Sequence, residues 1–252
     1  MGQAGRDSSE WVRVFHPVPA AERHLVCFPH AGGSASYYYA LSAALRAAGP
    51  DVQVSVVQYP GRADRLADAP LTSMDALADG IHEALQPLLG RRSYFFGHSM
   101  GAVTAFEVAL RAERAMGRGP ERLIASACVA PSRRVDMGLR HQDDAGVLAG
   151  IMGLGGTQDV LNDHPELAEL ILPAIRADLE MIEPYRAGTD VKLDCPVSVF
   201  APDSDPRVPL ADSAAWTEHT TAAADVHVFQ GGHFYFNDVP DEFSERLRGA
   251  LS

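Results

Sequence analysis

Short apolar runs alternate with longer amphipathic stretches along most of this chain. Residues 24–28, 52–57, 93–96 and 122–129 are runs rich in β-branched, aromatic and other apolar side chains. Runs of that length, bounded by turn residues, predict buried strands. Residues 11–15 are a candidate edge strand, residues 196–201 another strand, and residues 226–229 alternate as a last one. Between these runs, residues 36–47, 73–88 and 102–110 carry helical periodicity, with Ser73 placed as an N-cap. A final helix is expected to begin near Pro240, proline being favoured in a first turn. Strand and helix taken in turn predict an α/β fold, a mostly parallel central sheet flanked by helices.

Between Pro131 and Asp194 the pattern changes. About sixty residues pass without a strand signal, and the apolar spacing is helical around residues 143–152 and 165–185. Gly153, Leu154, Gly155 and Gly156 break the two segments. With no internal repeat and no low-complexity linker, the reading is a single domain over residues 1–252 with a helical lid insertion at 131–194.

The most informative stretch is Gly97-His98-Ser99-Met100-Gly101, set between a predicted strand and a predicted helix. A chance Gly-x-Ser-x-Gly is expected in roughly one chain in eight of this composition, so the strand-to-helix context carries the signal. A serine at such a turn is a nucleophile elbow, exposed at the tip while the new helix aims free N–H groups beside it. Further along, Asp203 and Asp205 follow the strand at 196–201, and Gly231-Gly232-His233 follows the last strand. The order serine, acid, histidine, each after a strand, is that of the α/β-hydrolase triad. Ser99 is the candidate nucleophile and His233 the candidate base. Both aspartates share one parity beyond the strand; Pro206 and Val208, which stiffen and anchor the turn after Asp205, favour Asp205 as the acid and leave Asp203 a turn residue. Donors for an oxyanion are expected at the N–H groups of Met100 and Ala31, the latter in the Pro29-His30-Ala31-Gly32-Gly33 loop.

Composition narrows the class. Of 252 residues, 46% are hydrophobic, and the mean hydropathy of −0.07 is that of an ordinary water-soluble protein. The polar start of the chain has no secretion-signal layout and no apolar run is long enough to span a bilayer, so a cytoplasmic protein is expected. A net charge of −12 argues against nucleic acid and anionic membranes as partners. Cys27, Cys128 and Cys195 lie far apart beside apolar runs, which predicts reduced, buried thiols. No histidine pair has metal-ligand spacing, and no cofactor is expected.

Several segments together resemble one family. Residues 28–35, Tyr59-Pro60-Gly61-Arg62, the Ser99 elbow, Leu172-Pro173-Ala174-Ile175-Arg176-Ala177-Asp178, Asp205-Pro206-Arg207-Val208 and Gly231-Gly232-His233-Phe234 occur in order. In this combination, running from about Trp11 to Phe243, the chain is similar to the external (type II) thioesterases that accompany polyketide synthases and non-ribosomal peptide synthetases. The resemblance implies hydrolysis of acyl or aminoacyl thioesters from the phosphopantetheine arm of acyl or peptidyl carrier proteins, clearing stalled or misprimed units. It also implies that the aspartate before the proline, Asp205, is the acid. The segment after Arg62 departs from the family pattern, and residues 153–163 do not match it closely.

Carrier domains are usually acidic, so an acidic enzyme needs a local basic patch to meet them. Arg62, Arg65, Arg133 and Arg134 follow strands and are expected on the rim of the site as that patch. Apolar residues of the insertion, among them Ile151, Ile171, Ile175, Leu179 and Ile182, are expected to divide between the core and an apolar acyl channel. A monomer is expected. The rival readings are a carboxylesterase, a chain-releasing acyltransferase and a catalytically silent docking protein.

Overall fold

The computed structural model describes residues 8–49, 51–155, 165–237 and 240–252. Seven strands form one sheet: β1 (Val12–Arg13), β2 (Arg23–Phe28), β3 (Val52–Val57), β4 (Arg92–His98), β5 (Arg122–Ser126), β6 (Val197–Pro202) and β7 (Ala224–Phe229). Their spatial order is β1-β3-β2-β4-β5-β6-β7, with every pairing parallel except that of β1 with β3. All residues of β3 and β6 are buried, as parallel strands covered on both faces must be. The outermost strand β7 alternates between exposed and half-buried residues until Phe229, which is buried.

Helices cover both faces. The helices α3 (Met74–Leu89) and α4 (Met100–Met116) pack on one side with Trp11 and Trp216; α2 (Tyr39–Ala48) and the C-terminal helix Pro240–Ala250 close the other around Tyr38, Phe96, Phe200 and Phe243. Ser73 does cap α3, accepting the Ala76 N–H at 3.3 Å. With Ala112 on α4 buried as fully as Val103, α4 is clamped between sheet and α3, which fixes its N-terminus.

Two strand boundaries differ from expectation. The first strand is only two residues long; Trp11 ends the preceding short helix α1 (Ser8–Trp11) and buries its ring over Gly80, where a Cβ would lie 2.7 Å from it. Trp11 keeps one backbone bond toward the sheet, its carbonyl accepting the Gln58 N–H at 2.8 Å, while its large ring is buried. The fifth strand stops at Ser126 because Ala127 takes a φ of +44° and turns the chain out of the sheet.

The described residues between β5 and β6 hold helices and no strand, and lie beside the Ser99 end of the sheet. They contain short 3-10 turns at Pro131–Arg133 and Leu139–His141, then α5 (Asp144–Met152) and α6 (Pro165–Ile182). Asp143 caps α5 through the Gly146 N–H at 2.8 Å. Part of the expected glycine-rich break, from Gly156 onward, lies outside the described residues, as do residues 157–163 of the stretch that does not match the family pattern. Among the described residues no helix is long and apolar enough to cross a membrane.

Candidate active site

Strand β4 continues through Gly97 and His98, and α4 starts at Met100, so a single residue makes the turn. That residue is Ser99, at φ 56° and ψ −121°. A non-glycine residue with positive φ is strained and persists only where its surroundings over-determine it. Here the Ser99 N–H donates to the Ser126 carbonyl at 2.8 Å, and the Ser99 carbonyl accepts the Ala102 N–H at 3.0 Å. The flanking glycines are required by contact. A Cβ on Gly97 would meet the Gly101 carbonyl oxygen at 2.3 Å, and one on Gly101 would meet the Phe28 oxygen at 1.9 Å.

His233 stands in the loop after β7, and its Nδ1 lies 2.5 Å from Asp205 Oδ2, with both side chains buried. Asp205 Oδ1 accepts the Arg207 N–H at 2.9 Å, which leaves Oδ2 as the acceptor for an Nδ1–H on the imidazole. In that tautomer Nδ1 carries the proton and Nε2 keeps its lone pair. Asp203 sits differently. It is exposed, and its Oδ1 accepts from Ser204 Oγ at 2.7 Å and from the Gly231 N–H at 3.0 Å, donors that hold its pKa below the usual value. It braces the turn that carries His233, whereas Asp205 touches the ring.

Two further histidines lie behind His233. The His98 ring centroid is 5.0 Å from that of His233 and 5.9 Å from that of His30. Burial, and then the neighbouring His233, depress both: His30 to about 3 and His98 well below its ordinary value. Both are therefore neutral at pH 7. His98 Nδ1 lies 3.1 Å from Ser126 Oγ, which in turn meets the Tyr235 hydroxyl at 2.8 Å.

Ser99, His233, Ala31 and Met100 line one cavity of about 310 Å³ under the insertion. Arg133, Arg134 and Glu183 also stand in its wall. A recess of about 40 Å³ opens from the other side of Ser99 and His233, against Ile151, Leu154, Ile171 and Ile175. Leu179 and Ile182 line the larger cavity, Met181 joins the main core, and Leu170 is exposed. The insertion's apolar side chains thus do divide between core and cavity. Arg207 donates to the Gly150 carbonyl at 2.8 Å and ties the Asp205 loop to α5.

The four rim arginines separate. Arg133 and Arg134 border the cavity; Arg133 pairs with Glu218 at 2.9 Å, and Arg134 donates to the Ile182 carbonyl at 3.0 Å. Arg62 is not on the rim. Its guanidinium is buried and grips Asp178 of α6 bidentately, at 2.6 and 2.8 Å. Burial works against that charge, but the Asp178 carboxylate outweighs it and the Arg62 pKa is raised. Arg65 is also turned away, lying 4.4 Å from the Trp11 ring and pairing with Asp68 at 2.7 Å. Both meet inward partners that suit a planar, weakly hydrated guanidinium: a bidentate carboxylate for Arg62, an aromatic face for Arg65. The expected oxyanion loop is pinned from the same place: the Gly32 N–H donates to Asp178 Oδ2 at 2.7 Å. Asp178 was legible only as part of a motif, with no partner attached.

Among the described residues, no three His, Cys, Asp or Glu side chains converge to hold a metal ion. The three cysteines are buried free thiols; burial pushes Cys195 up to about 12.

Comparison with known proteins agrees with this geometry. The thioesterase domain model matches residues 23–251. The chain is 43% identical over 252 residues to thioesterase PikA5 of Streptomyces venezuelae, covering 97% of this chain and 89% of that one. To a probable cadicidin biosynthesis thioesterase of Streptomyces griseus it is 39% identical over 244 residues, covering 97% and 66%. The solved type II thioesterase BorB from the borrelidin biosynthetic cluster superposes with a TM-score of 0.87 at 36% identity, over 99% of this chain and 100% of that one. With that likeness spanning sheet, elbow and insertion alike, the chain belongs to the thioesterase family, as a type II thioesterase of the α/β-hydrolase fold.

Proposed function

We propose that this protein hydrolyses acyl or aminoacyl thioesters carried on the phosphopantetheine of acyl or peptidyl carrier proteins, editing stalled or misprimed units of a polyketide or non-ribosomal peptide assembly line. The observation that carries this reading is the sharing of one cavity by Ser99, His233 and the Ala31–Met100 pair, with Asp205 bonded to His233 behind them.

In this reading the thioester carbonyl lies with its oxygen toward the Ala31 and Met100 N–H groups. Ser99 Oγ attacks the carbonyl carbon while His233 Nε2 takes the hydroxyl proton, and Asp205 stabilises the imidazolium. Collapse of the tetrahedral adduct breaks the C–S bond, and the imidazolium protonates the leaving thiolate. Water then attacks the acyl-Ser99 ester, giving its proton to His233, and the free acid leaves as Ser99 is reprotonated. Each oxyanion donor is worth about 10²–10³ in rate where the position is pre-formed. The insertion acts as a lid that keeps bulk water from the ester. The large cavity suits the extended arm, and Arg133 and Arg134 in its wall are offered to an acidic carrier or its phosphate. Their position in the cavity wall makes those two the candidates, since Arg62 and Arg65 are turned away from it. The protein works as a cytoplasmic monomer in this account.

The deciding experiment is hydrolysis of a panel of acyl-loaded carrier proteins with Ser99→Ala alongside. Release that vanishes in the variant is the expected result. Cleavage of simple esters without release from carriers would replace this reading with a plain esterase.

A further inference from the structure

The motif that carries Asp178 has no part in the mechanism above, yet Asp178 is wholly buried against one charged partner, Arg62. Its carboxylate receives three donors: Arg62 Nη1 at 2.6 Å, Arg62 Nη2 at 2.8 Å and the Gly32 N–H at 2.7 Å. Arg62 also reaches the Gly33 carbonyl at 3.4 Å and the Pro60 carbonyl at 3.3 Å. One ion pair therefore holds the peptide group that enters Gly32 and the one that leaves Gly33. The turn is closed at its base by the Gly33 N–H donating to the His30 carbonyl at 2.9 Å.

A second contact comes from the same helix. Gly32 has a φ of +73°, and a Cβ on it would lie 2.7 Å from Ile175 Cγ1. Ile175 and Asp178 are three residues apart and share a face of α6. The helix thus seats an apolar side chain where Gly32 has none and offers an acceptor to its N–H. Ala31, immediately before, lines the cavity beside Ser99 and His233.

We infer that Asp178, oriented by Arg62, is a positioning residue that sets the oxyanion loop from the insertion: withdrawing its carboxylate frees the Gly32 peptide and lets the Ala31 N–H drift from its aim. Buried ion pairs contribute little net stability compared with apolar packing of the same volume. What this pair adds is direction, since a bidentate guanidinium leaves the carboxylate one orientation in which to meet Gly32. It follows that the loop is competent only while α6 is seated. The inference rests on the proposed role of the Ala31 N–H.

The test replaces the pair by apolar side chains, Arg62→Met with Asp178→Leu, which removes the Gly32 acceptor while keeping the volume filled. The readouts are kcat and KM on an acyl thioester, the inhibition constant of an acyl trifluoromethyl ketone that adds to Ser99, and the melting temperature. We expect a folded protein with KM nearly unchanged, kcat lowered about a hundredfold, and ketone affinity weakened in parallel. Arg62→Lys, which keeps the Asp178 acceptor but loses the bidentate grip that aims it, should give values between those of wild type and the double variant. A folded double variant with kcat and ketone affinity within threefold of wild type overturns the inference. Should the double variant not fold, amide exchange at Gly32 in the wild-type protein is the deciding readout. In the wild-type protein, a Gly32 amide that exchanges with solvent like an open-loop amide would also overturn it. Wild-type enzyme that shows no Ser99-dependent ketone binding would instead sink the proposed function itself, which keeps the two failures apart.

Discussion

The carbonyl oxygen of Phe28 occupies the place where a side chain on Gly101 would begin, 1.9 Å from an ideal Cβ. The end of β2 and the first turn of α4 therefore touch backbone to backbone, and this contact brings the Ala31 loop beside Ser99. Gly101→Ala has no flexible side chain to displace and must move backbone on one side. We expect a loss of several kcal/mol in stability, or failure to fold, measured by denaturant unfolding. An alanine variant as stable and active as wild type would show that α4 and β2 are not so close.

The two aspartates after β6 offer a sharper comparison. Asp205→Asn removes the carboxylate that fixes the His233 tautomer, and kcat should drop by about 10⁴-fold with the fold intact. Asp203→Asn keeps an acceptor for Ser204 and the Gly231 N–H, so kcat should stay near wild type. Steady-state kinetics of the two variants on one thioester decides the matter. The reverse ranking would reassign the acid.

Stability should depend on pH through His30 and His98. Both are depressed in the folded protein, so below the ordinary value of 6.5 the unfolded chain binds protons that the folded one refuses. Their contribution is complete above pH 6.5 and is lost as the pH falls, continuing toward about 3 for His30. Each histidine supplies up to about 1.4 kcal/mol per pH unit in that range. Urea unfolding between pH 7 and pH 5 measures the slope; a flat profile would mean that the two rings are not held neutral.

Reversing the charge of Arg133 and Arg134 should raise KM for carrier-bound substrate several-fold, with a weakened salt dependence, while a small thioester without a carrier is turned over as before. If the double reversal leaves carrier-bound turnover untouched, the cavity rim does not receive the carrier.

The elements most legible before folding were those whose signal is local. The buried strands β2, β3 and β4 are short runs rich in apolar and β-branched residues, and the elbow announces itself because steric crowding demands glycine on both sides of Ser99. The order of Ser99, acid and His233 followed from counting strands. The edge was less legible, since Trp11 reads equally as a strand residue until Gly80 is found beneath it.

What the sequence by itself determined is the layout: a parallel sheet, an elbow after β4, an acid and a histidine after later strands, and a helical insertion between β5 and β6. These depend on runs of a few residues, where propensity and periodicity act. Only the tertiary structure decided which aspartate meets His233, because both stand on one parity and the bend of the loop chooses between them. It alone took Arg62 off the rim and joined it to Asp178, 116 residues away. A charge in a loop carries no local mark of burial; its partner does, and that partner arrives only when the insertion folds back over the sheet.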